Sequence, residues 1–246
     1  MLEAAYGQGF LSEGGKEAID DLVKGFKLDN KKMLDIGSGL GGAAIHFAEK
    51  FNAMVIGIEI NQMMVDESSN RIPDKLQNQV RFLYYDDIRH LPFPDEFFDL
   101  AYSKGVFVHL DTEDKSILFK EISRVLKKDG YFIIGDWLSP VQDHWGEKMG
   151  EMMKIDGLTL FANTDDQYKD VIRRVGFELI SIDAEDEIYA NYNKEIVKHL
   201  KKPEIQKKLK EIFTTKEIED SIKGYTLICQ AIQEKELFVR KIICKK

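Results

Sequence analysis

The stretch Met33-Leu-Asp-Ile-Gly-Ser-Gly-Leu-Gly-Gly42 constrains the fold more than any other part of the chain. An apolar run ends there in a glycine-rich turn, and residues 43–50 continue with helical character. Gly37, Gly39 and Gly42 stand in G-x-G-x-x-G spacing, which permits a tight strand-to-helix bend and brings the backbone N–H groups of the helix start close to a ligand. The same spacing also arises where glycine merely lets a helix pack on a strand. Other residues have to decide.

Two carboxylates do so. Glu59, followed by Ile60, ends a second apolar strand over 53–58, where a dinucleotide-type fold places the acid that hydrogen-bonds a ribose diol. Asp35 stands two residues before the first glycine, under the place a pyrophosphate would occupy. An anion there repels a diphosphate and attracts a ligand carrying a sulfonium and an ammonium, as S-adenosylmethionine does. The plainer reading is that Asp35 only caps the turn. No G-x-x-x-x-G-K-[ST] sequence occurs, which disfavours a phosphate-nucleotide site.

Leu34-Asp-Ile-Gly-Ser-Gly-Leu-Gly-Gly42 resembles the first motif of class I S-adenosylmethionine-dependent methyltransferases. With Gly9-Phe-Leu-Ser-Glu-Gly-Gly15 and Phe98-Asp-Leu-Ala-Tyr-Ser103, the chain is most similar to the phosphoethanolamine and sarcosine/dimethylglycine N-methyltransferases over most of residues 5–180. The resemblance implies a Rossmann-like α/β fold: a mostly parallel seven-stranded sheet flanked by helices, an N-terminal lid and helix over 1–24, and a helical substrate-side insertion over 138–164 after the fifth strand. The cofactor it implies is S-adenosyl-L-methionine, with S-adenosyl-L-homocysteine as product. By the same likeness Leu11 and Ser12 of the lid, Asp35, Gly37, Ser38, Gly39, Glu59, Ile60, Ser103 and Lys104 bind the cofactor. Asp87 and Ile88 hold its adenine, the acid accepting a hydrogen bond from the amino group and its neighbour packing on the ring. Taken alone, Asp86-Asp87 also reads as a surface turn, and the lid residue Phe10, a candidate on the substrate side, as a core anchor.

Composition narrows the function. A net charge of -8 over 246 residues leaves no basic footprint, so nucleic acid and anionic membrane surfaces are not expected partners. Cys229 and Cys244 lie in apolar stretches and read as buried reduced thiols, with no metal cluster in view. No apolar run reaches the roughly 18 residues that span a bilayer, and the first fifteen residues lack a leader pattern. The expectation is one soluble, cytoplasmic domain over 1–246, with a monomer favoured and a small-molecule methyl acceptor.

Along the chain, Ser12 is placed to cap a helix through residue 23, and helices are expected over 61–70, 114–127 and 165–175. Strands are expected over 80–85, 97–102, 131–135 and 177–182, with Lys128-Asp-Gly130 as a turn and 237–244 as a final edge strand. Trp145, Met149, Met152 and Met153 fall on one helical side, either as core or as the wall of a substrate pocket. Residues 193–223 carry a solvated charged face, with Ile196, Leu200, Leu209 and Ile212 at helical intervals.

Methyl transfer from a sulfonium to an amine nitrogen needs alignment and a neutral nucleophile. His109 on Val106-Phe-Val-His109 is the candidate base, largely neutral at about pH 7; otherwise it is a structural imidazole bonded to a loop carbonyl. The related enzymes place Ser-Arg-Asp before this histidine, where this chain has Ser103-Lys104-Gly105, and their lid tyrosine would fall before Met1. Where they hold phosphate with tyrosines and an arginine, this chain offers Trp137, Met152, Asp156 and Leu158. Trp137 is suited to face a methylated ammonium, or else packs as a rim aromatic. Asp156 favours a cationic substrate over a phosphate. The rival readings are a non-catalytic cofactor-binding protein and an NAD-dependent oxidoreductase, the latter leaving Asp35 and the Asp87-Ile88 pair without a purpose.

Overall fold

In the computed structural model residues 2–246 are described; Met1, the first residue of the expected lid, lies outside them. The elements in chain order are α1 (Leu2–Tyr6), α2 (Gly15–Leu22), β1 (Lys32–Ile36), α3 (Gly42–Phe51), β2 (Met54–Glu59), α4 (Gln62–Asn70), β3 (Val80–Tyr84) and β4 (Phe98–Lys104). They continue with α5 (Thr112–Val125), β5 (Leu126–Leu138), α6 (Glu147–Asp156), α7 (Asp165–Arg174), β6 (Glu178–Ala184), α8 (Asp186–Leu200), α9 (Pro203–Leu209), α10 (Thr215–Gln233) and β7 (Phe238–Lys245).

The strands form one seven-stranded sheet in the order β3-β2-β1-β4-β5-β7-β6. β1 to β5 run parallel, and β7 lies antiparallel between β5 and β6. The order reverses between β1 and β4, so the crevice beyond their carboxyl ends is the ligand position of an open α/β sheet.

Parallel strands are covered on both faces, and successive side chains point to opposite sides. Leu34 and Ile36 accordingly join Phe107, Leu118, Phe119 and Ile122 beneath α5 and α7. Met33, by contrast, joins Ala44, Phe47, Val55 and Leu100 beneath α2 and α3. Each of these Val, Leu, Ile, Phe and Met side chains, fully buried, stabilises the fold by about 1.5–3 kcal/mol before entropy is counted. A third apolar cluster joins Met149, Met152, Tyr189, Ile196, Tyr225 and Ile228, so α6, α8 and α10 pack together as a helical cap. Met149 is therefore core, and Met152 is both buried and a cavity wall. No helix of the described residues is long and apolar enough to cross a membrane.

Several local expectations are corrected. Gly14, at φ 75°, is the N-cap of α2 in place of Ser12, whose hydroxyl is engaged elsewhere. Asn61, expected inside a helix, is the N-cap of α4 and accepts from the amides of Met63 and Met64. Lys128-Asp-Gly130 is no turn between elements. α5 ends at Val125, and β5 runs through these residues with a register shift against β4 and Asp129 at φ 62°. The last strand is interior, and β6 forms the edge. Arg240 in β7 is buried because Asp186 and Asp165 pair with it, which lets a charged sequence occupy an interior strand. Ile212 is exposed, in the turn between α9 and α10.

Candidate active site

The glycine turn is built by close approach. Gly37 has φ +70°, and a Cβ there would lie 2.3 Å from Val106 Cγ2, so only glycine lets the loop after β4 cross it. The Gly37 and Ser38 amides donate to the Ile58 carbonyl at 3.0 and 3.1 Å. Glu59 locks the turn from the other side: Oε2 accepts from the Gly39 amide at 3.0 Å and Oε1 from the Asn61 amide at 3.1 Å. Each carboxylate oxygen retains a second acceptor site for a ribose hydroxyl. Gly42 has another purpose. Its amide donates to the Gly9 carbonyl at 3.1 Å, so the third glycine seats the N-terminal strap on the sheet and leaves the ligand to Gly37–Gly39.

That strap is tied at both ends. Glu3 Oε1 accepts from the Gly9 amide at 2.6 Å while its carboxylate pairs with Arg71 of the loop after α4. Lys104, the last residue of β4, donates to Ser12 Oγ at 2.7 Å and to the Glu13 carbonyl at 2.8 Å. Burial lowers the Lys104 pKa to about 8, opposed by the charges of Glu13 and Glu185.

Between strap and sheet lies a cavity of about 390 Å³. Phe10, Leu11, Ser12, Asp35, Gly37, Ser38, Gly39, Glu59, Ile60, Asp87, Ile88, Lys104 and His109 all line it, so one space brings together residues from six separate segments of sequence. Asp87 and Ile88 face it and Asp86 does not, its Oδ2 accepting from the Tyr84 hydroxyl at 2.8 Å. Ser103 lies beneath the cavity: it is fully buried, and its Oγ donates to the Ile36 carbonyl at 3.2 Å, joining β4 to β1. Phe10, a substrate-side candidate, lines this first cavity and not the second.

An adenosyl sulfonium fits this space on two counts. Asp35 Oδ2 and Ser38 Oγ are buried without a hydrogen-bond partner among the described residues, and such orphaned groups carry a cost that a polar ligand removes. Burial also pushes the Asp35 carboxyl up to about 7, the Tyr102 phenol opposing and the Glu59 charge adding. A cation nearby would restore its ionised form.

A second cavity of about 680 Å³ adjoins the first, sharing Leu11, Ser12, Met64, Lys104, Gly105 and His109 with it. Trp137, Met152, Asp156 and Leu158 line its far side. His109 ends a short 3-10 turn, Phe107–His109, at the mouth common to both spaces. It is accessible there, yet enough of it is removed from water to lower its pKa, with the Thr159 backbone opposing and the Lys115 charge adding. Gly105 leaves open space where a side chain would project.

Four residues of this site escaped the sequence reading. Glu13 is buried and lines the second cavity, and Tyr6, Tyr189 and Tyr225 join it from α1, α8 and α10. These residues have no common spacing, and only the folded helical cap assembles them. The family signature at Gly9–Gly15 marked the segment carrying Glu13 but not the direction of its side chain.

A methyltransferase domain model matches residues 34–134. The phosphoethanolamine N-methyltransferase of Plasmodium falciparum is 32% identical over 188 residues, which cover 76% of this chain and 69% of that protein. Among solved structures, phosphoethanolamine N-methyltransferase 2 of Haemonchus contortus, in complex with phosphomonomethylethanolamine and S-adenosylhomocysteine, superposes with a TM-score of 0.88 at 21% identity. It covers all of this chain, which spans 56% of that one. A protein of Galdieria sulphuraria described as a putative sarcosine dimethylglycine methyltransferase superposes with a TM-score of 0.77 at 18% identity, over 93% of this chain and 85% of that one. The chain belongs to the phosphoethanolamine N-methyltransferase family of class I, S-adenosylmethionine-dependent methyltransferases.

Proposed function

We propose that this chain methylates the nitrogen of a small-molecule amine, with the donor in the first cavity and the acceptor in the second. The observation that carries the reading is the position of His109 at the mouth shared by both cavities, with its pKa held down. Leu11, Ser12, Asp35, Gly37–Gly39, Glu59, Ile60, Asp87, Ile88 and Lys104 hold the donor in this reading, and Trp137, Met152 and Asp156 the acceptor. The chemistry a bound S-adenosylmethionine supplies is an activated methyl group: the nitrogen–methyl bond forms as the sulfur–methyl bond breaks, and the sulfonium becomes a neutral thioether.

The chain's own residues align and deprotonate. A neutral His109 accepts the proton of the acceptor ammonium and frees the nitrogen lone pair, a role worth about 10²–10⁴ in rate. The strap pinned by Lys104 and Glu3 excludes water, and holding two reactants in line contributes roughly 7–11 kcal/mol to lowering the barrier. Residues 1–24 then act as the lid and 138–164 as the acceptor-side insertion of one domain. A net charge of -8 fits an acceptor other than nucleic acid, and the buried thiols of Cys229 and Cys244 fit a cytoplasmic setting.

The test is methyl transfer by the purified chain to ethanolamine, phosphoethanolamine, glycine derivatives and polyamines, read by mass. Methylation of an amine, lost in His109→Ala, is expected. Binding of S-adenosylhomocysteine without turnover of any amine would instead favour a non-catalytic cofactor-binding protein, a reading to which the open space at Gly105 lends support.

A further inference from the structure

The second cavity has an uneven charge. Five acidic residues line it, Glu13, Asp136, Asp156, Glu217 and Asp220, against one lysine and no arginine. The lysine is engaged by the strap. Two of the acids are more than nine-tenths buried. Glu13 is 5% exposed; Asp136 is 1% exposed, its Oδ2 accepting from the Tyr168 hydroxyl beside the Lys115 charge and its Oδ1 lacking a hydrogen-bond partner among the described residues. Buried carboxylates facing an open cavity are costly unless a cation meets them.

The position of the acids says which cation. None of the five lines the first cavity, so all belong to the acceptor side. The reacting nitrogen must be neutral when it attacks and gains nothing from a carboxylate at that moment. Charge placed further along the cavity therefore serves another group of the same substrate. Glu13 and Asp156 line the cavity together with Tyr6 and Tyr225, whose rings meet edge-on with centroids 5.8 Å apart, and the charges of both acids act on both tyrosine hydroxyls. A carboxylate pair with aromatic faces is a site for an organic ammonium.

Building on the amine-methyltransferase reading, we infer that the acceptor is an unphosphorylated diamine or polyamine whose remote ammonium is held by Glu13 and Asp156 beside Tyr6 and Tyr225. One amine end enters the mouth at His109, loses its proton there and takes the methyl group; the other stays protonated at the acidic end. A phosphate at that end would face the carboxylates, and the one lysine among the described residues of the lining is engaged by the strap.

The experiment uses the full chain saturated with S-adenosylhomocysteine and titrates it calorimetrically with putrescine, butylamine and phosphoethanolamine. In parallel, turnover of each amine with S-adenosylmethionine is read by mass. Putrescine is expected to bind and react about tenfold or more better than butylamine, which differs by the missing second ammonium. Glu13→Gln and Asp156→Asn are each expected to raise KM and Kd for putrescine about tenfold, to affect KM more than kcat, and so to narrow the advantage of putrescine over butylamine. Asp156 is exposed, so its variant reports even if the buried Glu13 substitution impairs folding. Equal use of putrescine and butylamine, or preference for phosphoethanolamine, overturns the inference and leaves the amine-methyltransferase reading standing. Carboxylate-dependent binding of putrescine without methylation of any amine supports the cation site and overturns that reading instead.

Discussion

Lys104 Nζ lies 2.7 Å from Ser12 Oγ, so the last residue of β4 holds the N-terminal strap over the crevice where β1 and β4 diverge. The link joins residues 92 apart in sequence and closes the wall common to both cavities. Lys104→Met should therefore weaken S-adenosylhomocysteine binding by about tenfold or more, the effect of losing charge-assisted hydrogen bonds worth about 1.5–3 kcal/mol. Ser12→Ala should cost less, because the Glu13 carbonyl still accepts. Calorimetric titration of both variants checks the order.

If the proposed site is right, Asp35 should make donor binding depend on pH. Its carboxyl is pushed up to about 7 by burial, so the folded protein binds this proton more tightly than the unfolded chain does. The associated stability is full below about pH 4 and is lost as pH rises through about 7. Asp35→Asn should thus melt a few degrees higher than the parent at about pH 8 without ligand, and with little difference at about pH 4. The parent's affinity for S-adenosylmethionine should fall as pH is lowered through about 7, and the variant's should be weak throughout. Thermal scans and titrations at matched pH decide both.

At Gly37 a methyl group has nowhere to go. Gly37→Ala places a Cβ 2.3 Å from Val106 Cγ2 at a backbone angle of φ +70°. A loss of about 1–3 kcal/mol in stability is expected, with donor binding falling alongside it. Adding Val106→Ala should recover part of the stability, since it removes the clash and leaves the backbone strain. Denaturant melts of the single and double variants test this.

His109 should move the rate and leave donor binding alone. His109→Ala is expected to lower kcat by about 10²–10⁴ with S-adenosylhomocysteine affinity nearly unchanged. Because burial holds its pKa below the ordinary 6.5, the rising limb of kcat/KM attributable to this group should lie on the acid side of that value and vanish in the variant. A pH–rate series on both proteins provides the measurement.

The sheet-side lining of the first cavity was legible in the sequence because its residues sit at fixed offsets from strand ends. Asp35, Gly37 and Glu59 follow from the strand–turn–helix pattern, and a strand's carboxyl end has only one crevice to face. Ser103 shows the limit: one residue before Lys104, it points the other way, since side chains along a strand alternate between faces.

What the sequence determined by itself was the alternation of strands and helices, the glycine turn and the acids at strand ends, all set by local periodicity and backbone sterics. Tertiary structure decided the rest. β7 lies between β5 and β6 with Arg240 buried against Asp186 and Asp165, and no local pattern encodes that pairing. The acidic cavity likewise exists only when α1, α6, α8 and α10 meet, because Tyr6, Glu13, Asp156 and Tyr225 are distant along the chain and find a common space only through packing.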